Sequence, residues 1–148
     1  MSECQSFDPV ADTDSRLLIL GSMPGVRSLQ MQQYYGHPQN RFWPLVTMLL
    51  DNRIALWDVL GYCEREGSLD SDITCEQPND LAGFLQNHPQ IHTICCNGGK
   101  AAAAFKKYTR QLDLQRITVH FLPSTSPANA RWSLTKLLEA WQVINTDR

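Results

Sequence analysis

No run of about 18 uninterrupted apolar residues occurs anywhere in the 148-residue chain, so a membrane-spanning helix is not expected. The first residues, MSECQSFDPVADTD, are acidic and polar where a secretory signal is basic and then apolar, which points to the cytoplasm. A basic excess is missing as well: 13 Lys and Arg against 15 Asp and Glu leave a net charge of −2. That balance argues against a tight, non-specific nucleic-acid binder, and any contact with DNA has to come from local groups such as Arg41, Arg131 and the segment from Lys100 to Arg110. The five cysteines make neither an even disulfide set nor paired CxxC clusters, and read as reduced, mostly buried thiols without a metal or iron–sulfur centre. Both the GxxxxGKS/T phosphate loop and the GxGxxG fingerprint are lacking, so nucleoside triphosphates and NAD are poor guesses.

What is present is an alternation of two patterns. Short apolar runs without strict alternation, LLIL (17–20), IALW (54–57), IHTICC (91–96) and ITVHFL (117–122), each end near a turn signal, as strands of a parallel sheet covered on both faces do. Helical spacing lies between them: Phe42, Leu45, Val46 and Leu49; Leu81, Phe84 and Leu85; and Leu134, Leu137, Leu138 and Trp141. The Ala-rich stretch from Lys100 to Tyr108 follows Asn97-Gly98-Gly99, a strand, tight turn and closely packed helix. The expected fold class is α/β, a three-layer α/β/α sandwich with a central four-stranded parallel sheet. Residues 1–15 read as a flexible tail and 16–148 as a single domain, a size that supports its own core.

Two loops stand at strand ends where an α/β fold builds its site. The first, GSMPG (21–25), runs into a polar stretch with Tyr34, Tyr35, His37 and Asn40, and Pro44 is tolerated only in a first helical turn, which puts Asn40 at or before the helix mouth. The second, LPSTSPAN (122–129), offers the hydroxyls of Ser124, Thr125 and Ser126 before a helix expected to begin at about Ala130, where they suit a phosphate oxygen; the plainer reading is a capping loop with Asn129 as cap. His37 could assist electrostatically or be structural, and His120 reads as a strand-face residue. Lys100 could form a Schiff base if desolvated, but a phosphate or solvent contact is the simpler reading. Asp58 could act as a base, although turn or helix capping is preferred for it. Trp132 and Trp141 fit a helix stripe, and Cys95 reads as a buried strand residue.

Taken in order, GSMPGVRSL, YYGHPQNRFWPL, ALWDVL, CNGGKA and LPSTSPANARWSL resemble the uracil-DNA glycosylase superfamily, most closely its hypoxanthine (deoxyinosine) branch, over about Arg16 to Trp141. Two departures accompany the resemblance. Met23 stands where many members carry a water-activating Asn or Asp, and the connection from Leu50 through Asp51 and Asn52 to Arg53 is short. The resemblance implies that Asn40 supplies the missing polar group, that Tyr35 stacks on an extruded base, and that LPSTSPAN enters the duplex.

The expected function is therefore a monofunctional, cofactor-free and monomeric DNA glycosylase acting on deaminated bases in DNA, chiefly hypoxanthine. The alternatives are a uracil or G:T/U mismatch glycosylase and a catalytically silent damaged-DNA-binding module. The expected site comprises Asn40 for the water; Gly21, Ser22, Met23, Tyr35, His37 and Asn97 for the base; and Ser124, Thr125, Ser126, Pro127, Ala128, Asn129 and Arg131 for DNA. An amide is no general base near neutral pH, but its carbonyl can orient a water.

Overall fold

The computed structural model describes residues 3–24, 33–36, 39–43, 53–127, 129 and 131–146. His37, Ala128 and Ala130 lie outside them, as do residues 44–52 with the short connection and most of the helix expected from Phe42.

Among the described residues, four of the seven strands, β1 to β7, form the parallel sheet. These are β2 (Leu17–Gly21), β3 (Ile54–Asp58), β6 (Thr93–Asn97) and β7 (Thr118–Leu122), in the order β3-β2-β6-β7. Every residue of the central strands β2 and β6 is buried, which is why their sequences are nearly unbroken in apolarity. Alternation of side chains across a strand divides the core in two. Leu18, Leu20, Ile94 and Cys96 pack on one face with Leu81 and Phe84 of α1 (Leu81–Asn87) and Phe105 of α2 (Gly99–Tyr108). Leu17, Ile19 and Cys95 pack on the other with Phe42, with Leu137 and Trp141 of α3 (Leu134–Trp141), and with Ile144 of α4 (Val143–Thr146). Each fully buried leucine in these layers contributes about 1.5–3 kcal/mol. The three-layer α/β/α arrangement follows. Among the described residues no helix is long and apolar enough to cross a membrane.

A second, antiparallel sheet joins β1 (Glu3–Gln5), β4 (Leu60–Glu64) and β5 (Thr74–Pro78) in the order β1-β4-β5, with a 3₁₀ turn at Asp70–Asp72. It corrects the expectation of a loose tail: β1 pairs with β4, Val10 bridges Leu56, and Trp57 Nε1 donates to the Phe7 carbonyl at 3.1 Å. Helix α3 also starts later than expected. Ser133, not Asn129, caps it by accepting from the Lys136 amide at 3.2 Å, and Trp132 precedes the helix instead of lying on its stripe.

Because β2 is the first strand of the large sheet and lies inside it, with β3 to one side and β6 to the other, the chain reverses direction between β2 and β6. The crevice outside their carboxyl ends is where such a sheet receives a ligand.

Candidate active site

That crevice is a cleft of about 840 Å³. Gly21 at the end of β2 and Ser22 to Pro24 beyond it, Asp58 at the end of β3, Asn97 at the end of β6 with Gly98 after it, and the segment after β7 all line it, together with Tyr35, Asn40 and Trp132. Among the sequence-derived candidates, Gly21, Ser22, Met23, Tyr35, Asn40, Asn97, Ser124, Thr125, Ser126, Pro127 and Asn129 meet around one space. Arg131 is exposed and is not part of the cleft wall. Met23 is buried in the wall, and its thioether offers no strong hydrogen bond to a water.

The side-chain contacts explain how loops distant in sequence are held together. Asn97 Nδ2 donates to Thr125 Oγ1 at 3.1 Å, and its Oδ1 accepts from the Thr125 amide at 3.0 Å. Both ends of the Asn97 amide thus anchor the segment after β7. Gly98 has φ near 99°, and a side chain there would bring its Cβ to 3.0 Å from Ser124 Cβ, so glycine permits both the turn and the close approach. Ser124 accepts from the Ser126 amide at 3.1 Å through its hydroxyl and from Asn129 Nδ2 at 3.0 Å through its carbonyl.

Arg41 ties the two motif loops together. Its Nη2 donates to the carbonyls of Ser126 and Asn129 at 3.1 and 3.0 Å, and its own amide donates to the Thr125 carbonyl at 3.1 Å. A residue read from sequence as a DNA-facing cation is instead an internal staple. Arg41→Met keeps much of the apolar stem but deletes the donors, and charged hydrogen bonds contribute about 1.5–3 kcal/mol each. The expected outcome is a lower melting temperature together with weaker binding to DNA containing an abasic site. Thermal unfolding and fluorescence anisotropy measure the two.

Lys100 is likewise committed, its Nζ lying 2.8 Å from Glu76 Oε1, and the hydrogen bond from Lys100 lowers the Glu76 pKa below the usual carboxylate value. This ion pair leaves Lys100 a poor candidate for a Schiff base.

Asn40 sits at the cleft with its Oδ1 accepting from the Phe42 amide at 2.8 Å, an Asx turn that fixes the side chain. A carbonyl oxygen has a second lone pair, so the turn leaves capacity for a water. Tyr35 holds a left-handed backbone conformation, φ 55°, which is an outlier for a bulky residue. Its ring stacks on Phe42 with centroids 3.9 Å apart and planes 19° from parallel. One face of Tyr35 is thereby taken by the core, and the ring edge approaches the end of β2.

Asp58 is the residue that a capping reading of the sequence undervalued. In register it lies beside Gly21, and a Cβ at Gly21 would fall 2.6 Å from Asp58 Oδ1 and 3.3 Å from the Tyr35 hydroxyl. Only glycine leaves room for both groups. Asp58 is 3 % exposed, and its Oδ2 has no hydrogen-bond partner among the described residues. Burial, reinforced by the charge of Asp70 and opposed by Arg65, pushes the Asp58 carboxyl up to about 8. Burial and then Asp58 itself hold the Tyr35 hydroxyl in its neutral form, well above the usual phenol range. The signal available in sequence was the position of an acid at the end of an apolar strand, opposite a glycine.

The site therefore combines a fixed amide, an aromatic ring, a neutral buried acid and a braced polar loop. Among the described residues no three His, Cys, Asp or Glu side chains gather as metal ligands would.

Comparison with known proteins agrees with this architecture. Two curated relatives, both called hypoxanthine DNA glycosylase, come from Methanosarcina acetivorans and Methanosarcina barkeri. The first is 38% identical, with 95% of this chain and 96% of the relative covered, and the second is 33% identical, covering 93% and 94%. A solution NMR structure from Methanosarcina acetivorans, described as a candidate uracil DNA glycosylase, superposes with a TM-score of 0.82 at 35% identity over 98% of both chains. The family model described as the uracil DNA glycosylase superfamily matches residues 7–145, and the chain belongs to that superfamily.

Proposed function

We propose that the protein is a DNA glycosylase that hydrolyses the N-glycosidic bond of deaminated bases, with hypoxanthine as its chief substrate. The observation that carries this reading is the meeting of Asn40, Tyr35 and the Asn97-anchored loop around one cleft, in a chain whose relatives carry the hypoxanthine glycosylase name. A monomer suffices, since every residue invoked comes from one chain, and the work is done where cellular DNA lies, in the cytoplasm.

In this reaction the bond from C1′ to the base nitrogen breaks, the electron pair leaves with the base, and water adds to C1′. The sugar takes on oxocarbenium character while negative charge develops on the base, so fixed dipoles around the base and an oriented water lower the barrier. Asn40 Oδ1 accepts a hydrogen bond from that water. Tyr35 supports the extruded base; its unusual backbone angle, a strain of about 1–3 kcal/mol, is held by stacking on Phe42. The amides of the Gly21–Met23 turn and the side chain of Asn97 meet the leaving group. The segment 124–129 takes the phosphate backbone and the gap left by the base, offsetting the few kcal/mol that extrusion costs.

The test is a panel of duplexes carrying inosine, uracil or xanthine, incubated with the protein and then cleaved chemically at abasic sites. Strand breaks are expected chiefly at inosine. Breaks chiefly at uracil would support the uracil or mismatch reading, and binding without breaks would leave a silent damaged-DNA-binding module.

A further inference from the structure

Among the described residues, Asp58 is the one charged-type side chain on the cleft wall that is sealed from solvent, and the mechanism above does not use it. We propose that Asp58 selects the base: its carboxyl, in the protonated form, exchanges hydrogen bonds with the adjacent carbonyl and ring N–H that deamination creates. The inference rests on the glycosylase reading and deepens it by naming the group that recognises the substrate class.

Deamination replaces an exocyclic amine with a carbonyl and puts a hydrogen on the neighbouring ring nitrogen. Hypoxanthine shows this pair at C6 and N1 and uracil at C4 and N3, while in xanthine the new carbonyl and N–H stand at C2 and N3. A protonated carboxyl carries one donor and acceptor capacity on a single planar group, so it complements that edge and tells hypoxanthine from adenine and uracil from cytosine. A carboxylate accepts only, and it would oppose the carbonyl oxygen of the base.

Three observations converge. Asp58 stands at the carboxyl end of β3, one strand from the switch point, and lines the cleft. Its Oδ2 is buried with no partner among the described residues, and buried polar atoms in native proteins are rarely left in that state without a functional reason. A Cβ at Gly21 would fall 2.6 Å from Asp58 Oδ1, so glycine is what lets the carboxyl sit at this place on the wall. The titratable and charged groups around the carboxyl are Tyr34 and Tyr35 from residues 33–36, Arg65 beyond β4 and Asp70 in the 3₁₀ turn. Arg65 would favour ionisation. Yet Arg65 Nη2 is committed to the Pro24 carbonyl and its Nη1 lies 3.9 Å from Asp70, so burial wins and the neutral form persists to about pH 8.

The experiment measures single-turnover base release from inosine duplexes between pH 6 and 10 for the wild type, Asp58→Asn and Asp58→Leu, together with binding to inosine, undamaged and abasic duplexes. The wild-type rate is expected to fall above pH 8, approaching about tenfold per pH unit as the protonated fraction declines. Asp58→Asn keeps a donor and an acceptor on the same frame but cannot titrate, so its release continues and the fall at pH 8 disappears. Any fall caused by ionisation of the base itself is common to both proteins. Asp58→Leu is expected to lose at least about a hundredfold in release at every pH and to lose its preference for inosine over undamaged DNA, while still binding abasic DNA as a folded protein does.

An unchanged alkaline limb in Asp58→Asn would overturn the inference. So would inactive Asp58→Asn, a wild-type rate that rises through pH 8 as a general base requires, or wild-type release and preference in Asp58→Leu. Wild-type silence on every deaminated base would overturn the glycosylase reading. The binding preference would then decide on Asp58 by itself, because a base reader discriminates inosine whether or not the bond is cut.

Discussion

Asn40→Ala is expected to lower single-turnover base release by about 10²–10⁴-fold while leaving binding to DNA nearly unchanged. The amide is held at the cleft by the hydrogen bond from the Phe42 amide, and Phe42 is itself fixed by stacking on Tyr35 and by an edge contact with Trp141, 6.2 Å between centroids. In the proposed reaction, water orientation rests on a side chain whose position the core dictates. Alanine removes the Asx turn as well as the water contact, and losing such a cap costs about 1 kcal/mol. Asn40→Asp separates the two effects, since it keeps an oxygen for the Phe42 amide and a second one for water. It should retain the melting temperature and a substantial part of the rate. A rate for Asn40→Ala equal to the wild type would reject the role of the amide in orienting water.

The sheet was legible because its central strands are sealed on both faces: LLIL and TICC cannot be placed anywhere else without exposing them. The cleft loops were legible for a related reason, since Gly, Pro, Ser and Asn at strand ends serve turns and ligands alike. The small antiparallel sheet was not. Its strand TCEQP is exposed at four of five positions and carries no apolar face, so nothing in its pattern announces a strand. The start of α3 was misplaced because SPANARWS holds three residues able to cap, and the choice among them is made by tertiary contacts: Asn129 is engaged by Ser124 and Arg41, which leaves Ser133 for the helix. Arg41 and Asp58 share one difficulty. A charge type says what a side chain can do in water, while burial decides whether it becomes a staple or a neutral acid, and burial follows from register across the sheet.

Asp58→Asn should unfold at a higher temperature than the wild type, with a gap that widens as pH rises from about 4 toward about 8 and is level beyond that. The folded carboxyl retains its proton up to about 8, whereas the unfolded chain gives it up near 3.8, so between these values the folded state binds more protons than the unfolded one. Stability attributable to this group is then present in acid and declines with rising pH, by about 1.4 kcal/mol per unit at the steepest. The amide has nearly the same volume and no proton to lose, so the difference between the two proteins isolates this one group from every other titration in the chain. Chemical denaturation at pH 5, 7 and 9 measures it without any substrate. A gap independent of pH would mean that the carboxyl ionises at its ordinary value, which would remove the protonated donor from the cleft. A widening gap would show that the fold carries, on the wall of its cleft, an acid that an amide would replace to the benefit of stability. Such a group would sit in the cleft at a cost in stability, as the proposed role in binding the base requires.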